Sequence, residues 1–101
     1  MILRLKPVTL RCNRCFHKFE KDNGDFEYTS ECVAFRSMGS EFLHNWRISY
    51  EPCQKCGNRY SVNIDFYEYP ADCLNYHDTE TNAVSFMSPI TDDSVEGVED
   101  E

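Results

Sequence analysis

After Arg59 this sequence contains no lysine and no arginine. The 42 residues from Tyr60 onward hold eleven acids, so that half repels the phosphates of bare DNA or RNA. No run of about 18 apolar residues occurs, so no membrane-crossing helix is encoded. The opening MILRLKPVTL has its apolar residues broken by Arg4, Lys6 and Pro7 and lacks the continuous apolar centre of a signal peptide, which points to a cytoplasmic protein. No long stretch carries a helical period, so a helix bundle is not expected. A Gly-rich phosphate loop, a serine-nucleophile motif and a paired-carboxylate motif are also missing, which argues against an enzyme.

What is present fits one small domain. The chain has 101 residues, a formal charge of −8 and 14% aromatic residues. Aromatics at that level suit a small β-rich core, and a core of this size often needs a covalent or metal staple. Charge is divided unevenly: residues 1 to 59 carry all ten Lys and Arg against seven acids. We expect a folded unit over residues 1–90 and a disordered acidic tail over 91–101, where TDDSVEGVEDE has few apolar groups and many acids.

Most of the chain reads as strands and turns. LRLKPVTLRC is a strand or extended arm that Pro7 limits to a sheet edge or a break. Asn23-Gly24 reads as a hairpin turn. FEYTSECVAFRS and EFLHNWRISYEP read as two strands joined by a turn at Gly39, the second with Phe42, His44, Trp46, Ile48 and Tyr50 on one face. NRYSVNIDFYEYP is the clearest strand, stopped by Pro70; ADCLNYHDTETNA reads as turns or a short helical turn, and VSFMSPI as a last strand.

Six cysteines supply the strongest motif. Cys12-Asn13-Arg14-Cys15 and Cys53-Gln54-Lys55-Cys56 repeat one spacing, with 37 residues between them. Each Cys-x-x-Cys turn can aim two sulfurs at one ion, and two turns make a tetrahedron suited to Zn2+, or less often to iron. Gly57 lets the chain reverse closely after Cys56, whereas Phe16 stands at the matching place after Cys15 and suits it less. Disulfides would need an exported chain, and a redox Cys-x-x-Cys would sit at a helix start rather than between strands. Four thiolates leave no position for water, so the ion is structural rather than catalytic. His17 is a weaker candidate ligand, read more simply as a surface strand residue. Cys32 and Cys73 read as buried small apolar side chains, His44 as a hydrogen-bonded core or rim histidine, and His77 as a solvated loop residue.

CNRC and CQKCG, with the strands that follow each, resemble the zinc-ribbon group of folds over roughly residues 10 to 70. The resemblance implies a small antiparallel sheet with two cysteine turns at one end, here with an inserted hairpin. It implies a fold and a metal but no particular function, since zinc ribbons serve in transcription, ribosomes, nucleases, antitoxins and phage proteins.

Two functional surfaces follow from charge. The first is an acidic-aromatic face around Asp65, Tyr67, Glu68, Tyr69 and Asp72, fit for a protein partner with a basic surface. On that reading the chain is a non-enzymatic protein-interaction module, such as a regulator, an antitoxin-like protein or a phage-encoded inhibitor. The alternative is nucleic-acid binding by the cysteine knuckles through Arg11, Arg14, Lys18, Lys55 and Arg59, with Phe16 or Trp46 available for stacking. The plain reading of those five cations is that they offset the net −2 of four thiolates on Zn2+.

Overall fold

The structure, a computed structural model, describes residues 2–98. Nine strands make up about two thirds of it: β1 (Ile2–Leu5), β2 (Val8–Cys12), β3 (Lys18–Lys21), β4 (Glu27–Arg36), β5 (Gly39–Pro52), β6 (Arg59–Glu68), β7 (Leu74–Asn82), β8 (Val84–Phe86) and β9 (Val95–Val98). No α-helix occurs among the described residues, which contain two 3-10 turns at Asn23–Asp25 and Asp92–Ser94. Three antiparallel sheets form, in the orders β1-β9, β3-β2-β8 and β4-β5-β6-β7.

Alternation drives the largest sheet. In β6, Tyr60, Val62, Ile64, Phe66 and Glu68 are buried, while Ser61, Asn63, Asp65 and Tyr67 face the other way and are half-buried. His44, Trp46 and Ile48 of β5 share the inner side, and the Trp46 and Phe66 rings meet edge to face at 6.0 Å. Leu3, Leu5, Val8, Leu10, Val84 and Val95 from the two smaller sheets close the same core. The β5 alternation fails at one point: a bulge between Ile48 and Glu51 turns Tyr50 outward, 61% exposed, instead of keeping it with Trp46 and Ile48.

Several sequence expectations change. At Pro7 the segment takes the break rather than the edge: β1 ends at Leu5, β2 begins at Val8, and the two belong to different sheets. Asn23-Gly24 is not a hairpin turn, since β3 pairs with β2 and β4 with β5. It lies in a 3-10 turn capped by Asp22, and the Asn23 Oδ1 accepts from the Leu5 amide and from the Trp46 indole, each at 3.0 Å. An asparagine chosen for turn geometry thus also joins two sheets. The segment expected as turns after Pro70 is the nine-residue edge strand β7, polar because one face meets solvent. His77 is accordingly a strand residue, stacked on Phe66 at 5.2 Å.

Residues 95–98, assigned from the sequence to a disordered tail, form β9 instead. Val95 pairs with Leu5 and is buried, and the Lys6 amide donates to the Ser94 carbonyl at 2.9 Å. A single apolar residue every other position suffices for a short strand when the partner strand offers leucines. Residues 91–94 of that expected tail form the 3-10 turn at Asp92–Ser94 capped by Thr91, and residues 99–101 lie outside the described residues.

Candidate metal centre

Both cysteine turns sit at hairpin bends, one between β2 and β3 and one between β5 and β6. The two bends are built alike. The Phe16 amide donates to the Cys12 carbonyl and the Cys12 amide to the His17 carbonyl, each at 2.9 Å. In the second bend the Gly57 amide donates to Cys53 and the Cys53 amide to Asn58, each at 2.8 Å. Phe16 and Gly57 therefore occupy equivalent positions, and both have left-handed backbone, with φ of 62° and 76°.

This duplication brings Cys12, Cys15, Cys53 and Cys56 into one cluster, their sulfurs all within 4.8 Å of one another. Cys12 to Cys56 and Cys15 to Cys53 are both 3.7 Å. A tetrahedron with metal–sulfur bonds of about 2.3 Å has edges of about 3.8 Å, so the donor set fits a four-coordinate ion. A disulfide needs about 2.05 Å, and all six cysteines are free. The chemistry and the spacing define a zinc-ribbon-like site suited to structural Zn2+.

Local electrostatics favour thiolates at the first cysteine of each bend. The amides of Cys15 and Arg14 point at the Cys12 sulfur and bring its thiol down to about 6. The amides of Cys56 and Lys55 likewise lower Cys53. Cys15 receives the His17 amide, which acts in the same direction, but burial and the three neighbouring sulfurs outweigh it and push the thiol up to about 11. Without a cation, four sulfurs this close cannot all ionise; a bound divalent ion removes that conflict and would be held by all four. His17 lies outside the cluster and stacks on Phe19 at 6.0 Å.

The remaining candidates are dispersed. Cys32 and Cys73 are exposed, not buried: each lies where the chain leaves the core, Cys32 at the bulge of edge strand β4 and Cys73 in the loop before β7. Of the acidic-aromatic set, Asp65 and Tyr67 share the solvent face of the large sheet. Glu68 does not join them. It falls on the inner face, 1% exposed, with Oε1 at 2.8 Å from His44 Nε2 and Oε2 accepting from the Asp72 amide at 2.7 Å. Tyr69 is engaged by the β4–β5 hairpin, its hydroxyl accepting from the Met38 amide at 3.0 Å and its ring lying under Arg36. Asp72 is exposed in the loop.

The cations of the alternative set do gather. Arg14 and Lys55 lie within the two cysteine turns, Arg11 and Lys18 pair across β2 and β3, and Arg59 opens β6. Trp46, offered for stacking, is fully buried and unavailable, whereas Phe16 is 64% exposed.

Sequence reasoning found His44 as a core histidine but missed its network. Tyr28 Oη is 2.7 Å from His44 Nδ1, so the half-buried tyrosine, the buried imidazole and the buried Glu68 carboxylate form one chain across β4, β5 and β6. Burial alone would raise the Glu68 carboxyl, but the Asp72 amide and His44 together hold it below its ordinary value. The visible signal was Glu68 at an even position in the β6 alternation, among apolar residues. The chain matches no family model, and no curated protein or solved structure shows significant similarity to it.

Proposed function

We propose that this small zinc-binding β domain is a protein-interaction module that docks on a basic protein surface through the solvent face of the β4-β5-β6-β7 sheet. The observation that carries the reading is the pair Asp65 and Asp78, directly opposite each other on β6 and β7. Like charges placed so are destabilising, and a fold gains nothing from keeping them. The rows around them extend the pattern. Thr29, Asn45, Asp65 and Asp78 lie across the sheet in one row, and Glu27, Arg47, Asn63 and Glu80 in the next. With Glu31 and Glu41 the face carries six acids against two cations, Arg47 and the Arg36 that lies 3.8 Å from Glu41.

Asp65 is held in place rather than left mobile. Asn45 donates to one of its oxygens at 2.6 Å and Asn63 to the other at 3.2 Å. Tyr67, beside Tyr76 at 5.7 Å, supplies flat area in the same region; burial and then the carboxylates of Asp65 and Glu41 push its hydroxyl above the ordinary value. This surface differs from the one expected from sequence, since Glu27, Glu31 and Glu41 of the N-terminal half contribute and Glu68 does not. Regulators, antitoxins and inhibitors that cover a basic groove are the kinds of protein that need such a face.

The test is affinity capture with the chain and with an Asp65→Asn, Asp78→Asn, Glu80→Gln variant, followed by rate measurements on the captured protein. The reading requires a basic partner whose association slows as salt rises and which the variant fails to retain. Equal retention by both forms refutes it.

A further inference from the structure

We propose that the metal-bearing end binds single-stranded nucleic acid, with Phe16 and Tyr50 stacking on bases and the unpaired cations around them holding the phosphates. This goes beyond the sheet-face reading and rests on different residues, so either stands if the other fails.

Two exposed aromatics at this end adopt backbone conformations that folding alone does not favour. Phe16 has φ of 62° and Tyr50 has φ of 48°. A bulky residue rarely enters that region, because its Cβ meets the neighbouring carbonyl. The equivalent of Phe16 in the second turn is Gly57, where a Cβ would meet nothing within 4 Å but the φ of +76° suits glycine. The chain therefore places glycine at one of two like positions and phenylalanine at the other. Burial does not explain the choice, since Phe16 is 64% exposed and Tyr50 61% exposed.

Each of these residues has an arginine beside it, at the ring of Phe16 and at the backbone of Tyr50. The Arg11 guanidinium lies over the Phe16 ring at 5.5 Å, and Arg59 donates to the Tyr50 carbonyl at 2.9 Å. An exposed cation–π contact offsets at most part of the backbone strain. Arg11 Nε is also buried with no hydrogen-bond partner. Lys21 is matched to Glu51 at 3.2 Å and Arg36 to Glu41 at 3.8 Å, whereas Arg4, Lys6 and Arg47 make no ion pair among the described residues; what sets the cysteine end apart is that its cations surround exposed aromatic rings. Among the described residues no ion pair engages Arg11, Arg14, Lys18, Lys55 or Arg59.

Exposed π-faces interleaved with unpaired cations match an unstacked strand better than a duplex, whose bases offer no free faces. Phe16 closes the first cysteine turn through its amide hydrogen bond to Cys12, and Tyr50 is set by the β5 bulge and the Arg59 bond to its carbonyl, so both backbones are fixed before a strand binds. Tyr50 borders the acidic sheet face, lining one depression with Arg47 and Glu80, so phosphates are repelled on that side and a strand reaches the ring from the side of the cysteine turns.

Fluorescence anisotropy with labelled oligo-dT and oligo-U of about twelve nucleotides, and with a hairpin duplex of similar charge, tests the proposal on the zinc-loaded 101-residue chain. The single strands should bind more tightly than the duplex, with a log–log salt slope of about −3 for four or five phosphate contacts. Phe16→Gly should weaken single-strand binding by about tenfold while leaving the melting temperature unchanged or raised. Tyr50→Ser should weaken it similarly, and the exposed pair Arg14→Ala with Lys55→Ala should flatten the salt slope. No binding at low salt overturns the proposal. So does duplex binding as tight as single-strand binding, or binding indifferent to both aromatic substitutions. Should either aromatic variant melt early, the Arg14 and Lys55 variant decides: an unchanged affinity and slope rejects the site.

Discussion

Single residues carry unequal burdens in this chain, and Glu68 carries one of the heaviest. Its carboxylate is buried against His44 and the Asp72 amide, so Glu68→Gln removes the charge that both partners address. Breaking a buried pair typically costs about 3 kcal/mol, and thermal melts of Glu68→Gln at neutral pH should show a loss of that order. The pH dependence follows from the depressed folded value. A carboxyl that titrates lower when folded than its ordinary 4.5 stabilises the fold above that ordinary value, and the contribution disappears as pH falls through the folded value. Denaturant titrations between neutral and strongly acid pH should therefore show a stability drop in the wild type that is shallower in Glu68→Gln. A second residue-scale prediction concerns Asp78. Removing its charge relieves the repulsion with Asp65, so Asp78→Asn should raise stability by about 0.5 kcal/mol in a melt while weakening partner binding. A loss of stability on this substitution would mean that the pair serves the fold after all.

At the level of elements, the β1–β9 ribbon shows how few apolar residues a strand needs. Leu3 and Leu5 are buried on one side of β1, and Val95 is the buried residue of β9. Ending the chain after Thr91 removes Val95 from beside Leu5 and takes the β9 ladder away from β1, although the Leu5 amide keeps Asn23 Oδ1. About 2 kcal/mol or more of stability should vanish, seen as a lower denaturant midpoint. Hydrogen exchange gives an independent check: the β9 amides should be protected well above the level of an unstructured peptide. Indistinguishable exchange and an unchanged midpoint would show that the ribbon contributes nothing. The inserted hairpin of β4 and β5 was legible from alternation and from Gly39, because a two-sided strand pair imposes period two on its sequence. β7 was not legible, because an edge strand packing one weakly apolar face looks like a loop when its neighbours are hidden.

Across the whole molecule, the metal centre joins parts that otherwise share few contacts near that end. One cysteine turn belongs to the three-stranded sheet and the other to the four-stranded sheet, so the ion would tie two sheets together. Binding energy at such a site is on the order of 10 kcal/mol and largely becomes folding energy, comparable to the entire stability of a small domain. Elemental analysis should find one zinc per chain, and a strong chelator should lower the melting temperature sharply and reversibly. Cys53→Ser should bind no zinc and unfold at room temperature, and a folded, metal-free Cys53→Ser protein would remove the staple from the account. The molecule is also electrically two-ended, with unpaired cations near the cysteines and acids over the large sheet. Charge counts by residue number suggested a basic N-terminal and an acidic C-terminal half, but folding sorts the charges differently, since β4 and β5 lend acids to the face shared with β6 and β7.

By itself the sequence determined the β class, the four metal ligands and the clearest strands. Those features repeat over short distances: a Cys-x-x-Cys turn needs only four residues, and alternation needs only one strand and a core. The tertiary structure alone decided which sheet each strand joins, that Glu68 points inward, that Trp46 is hidden while Phe16 and Tyr50 are not, and that residues 95–98 pair with Ile2–Leu5. Each of these depends on partners far away in the chain. Polar side chains and isolated valines carry no local mark of whether a distant strand will cover them.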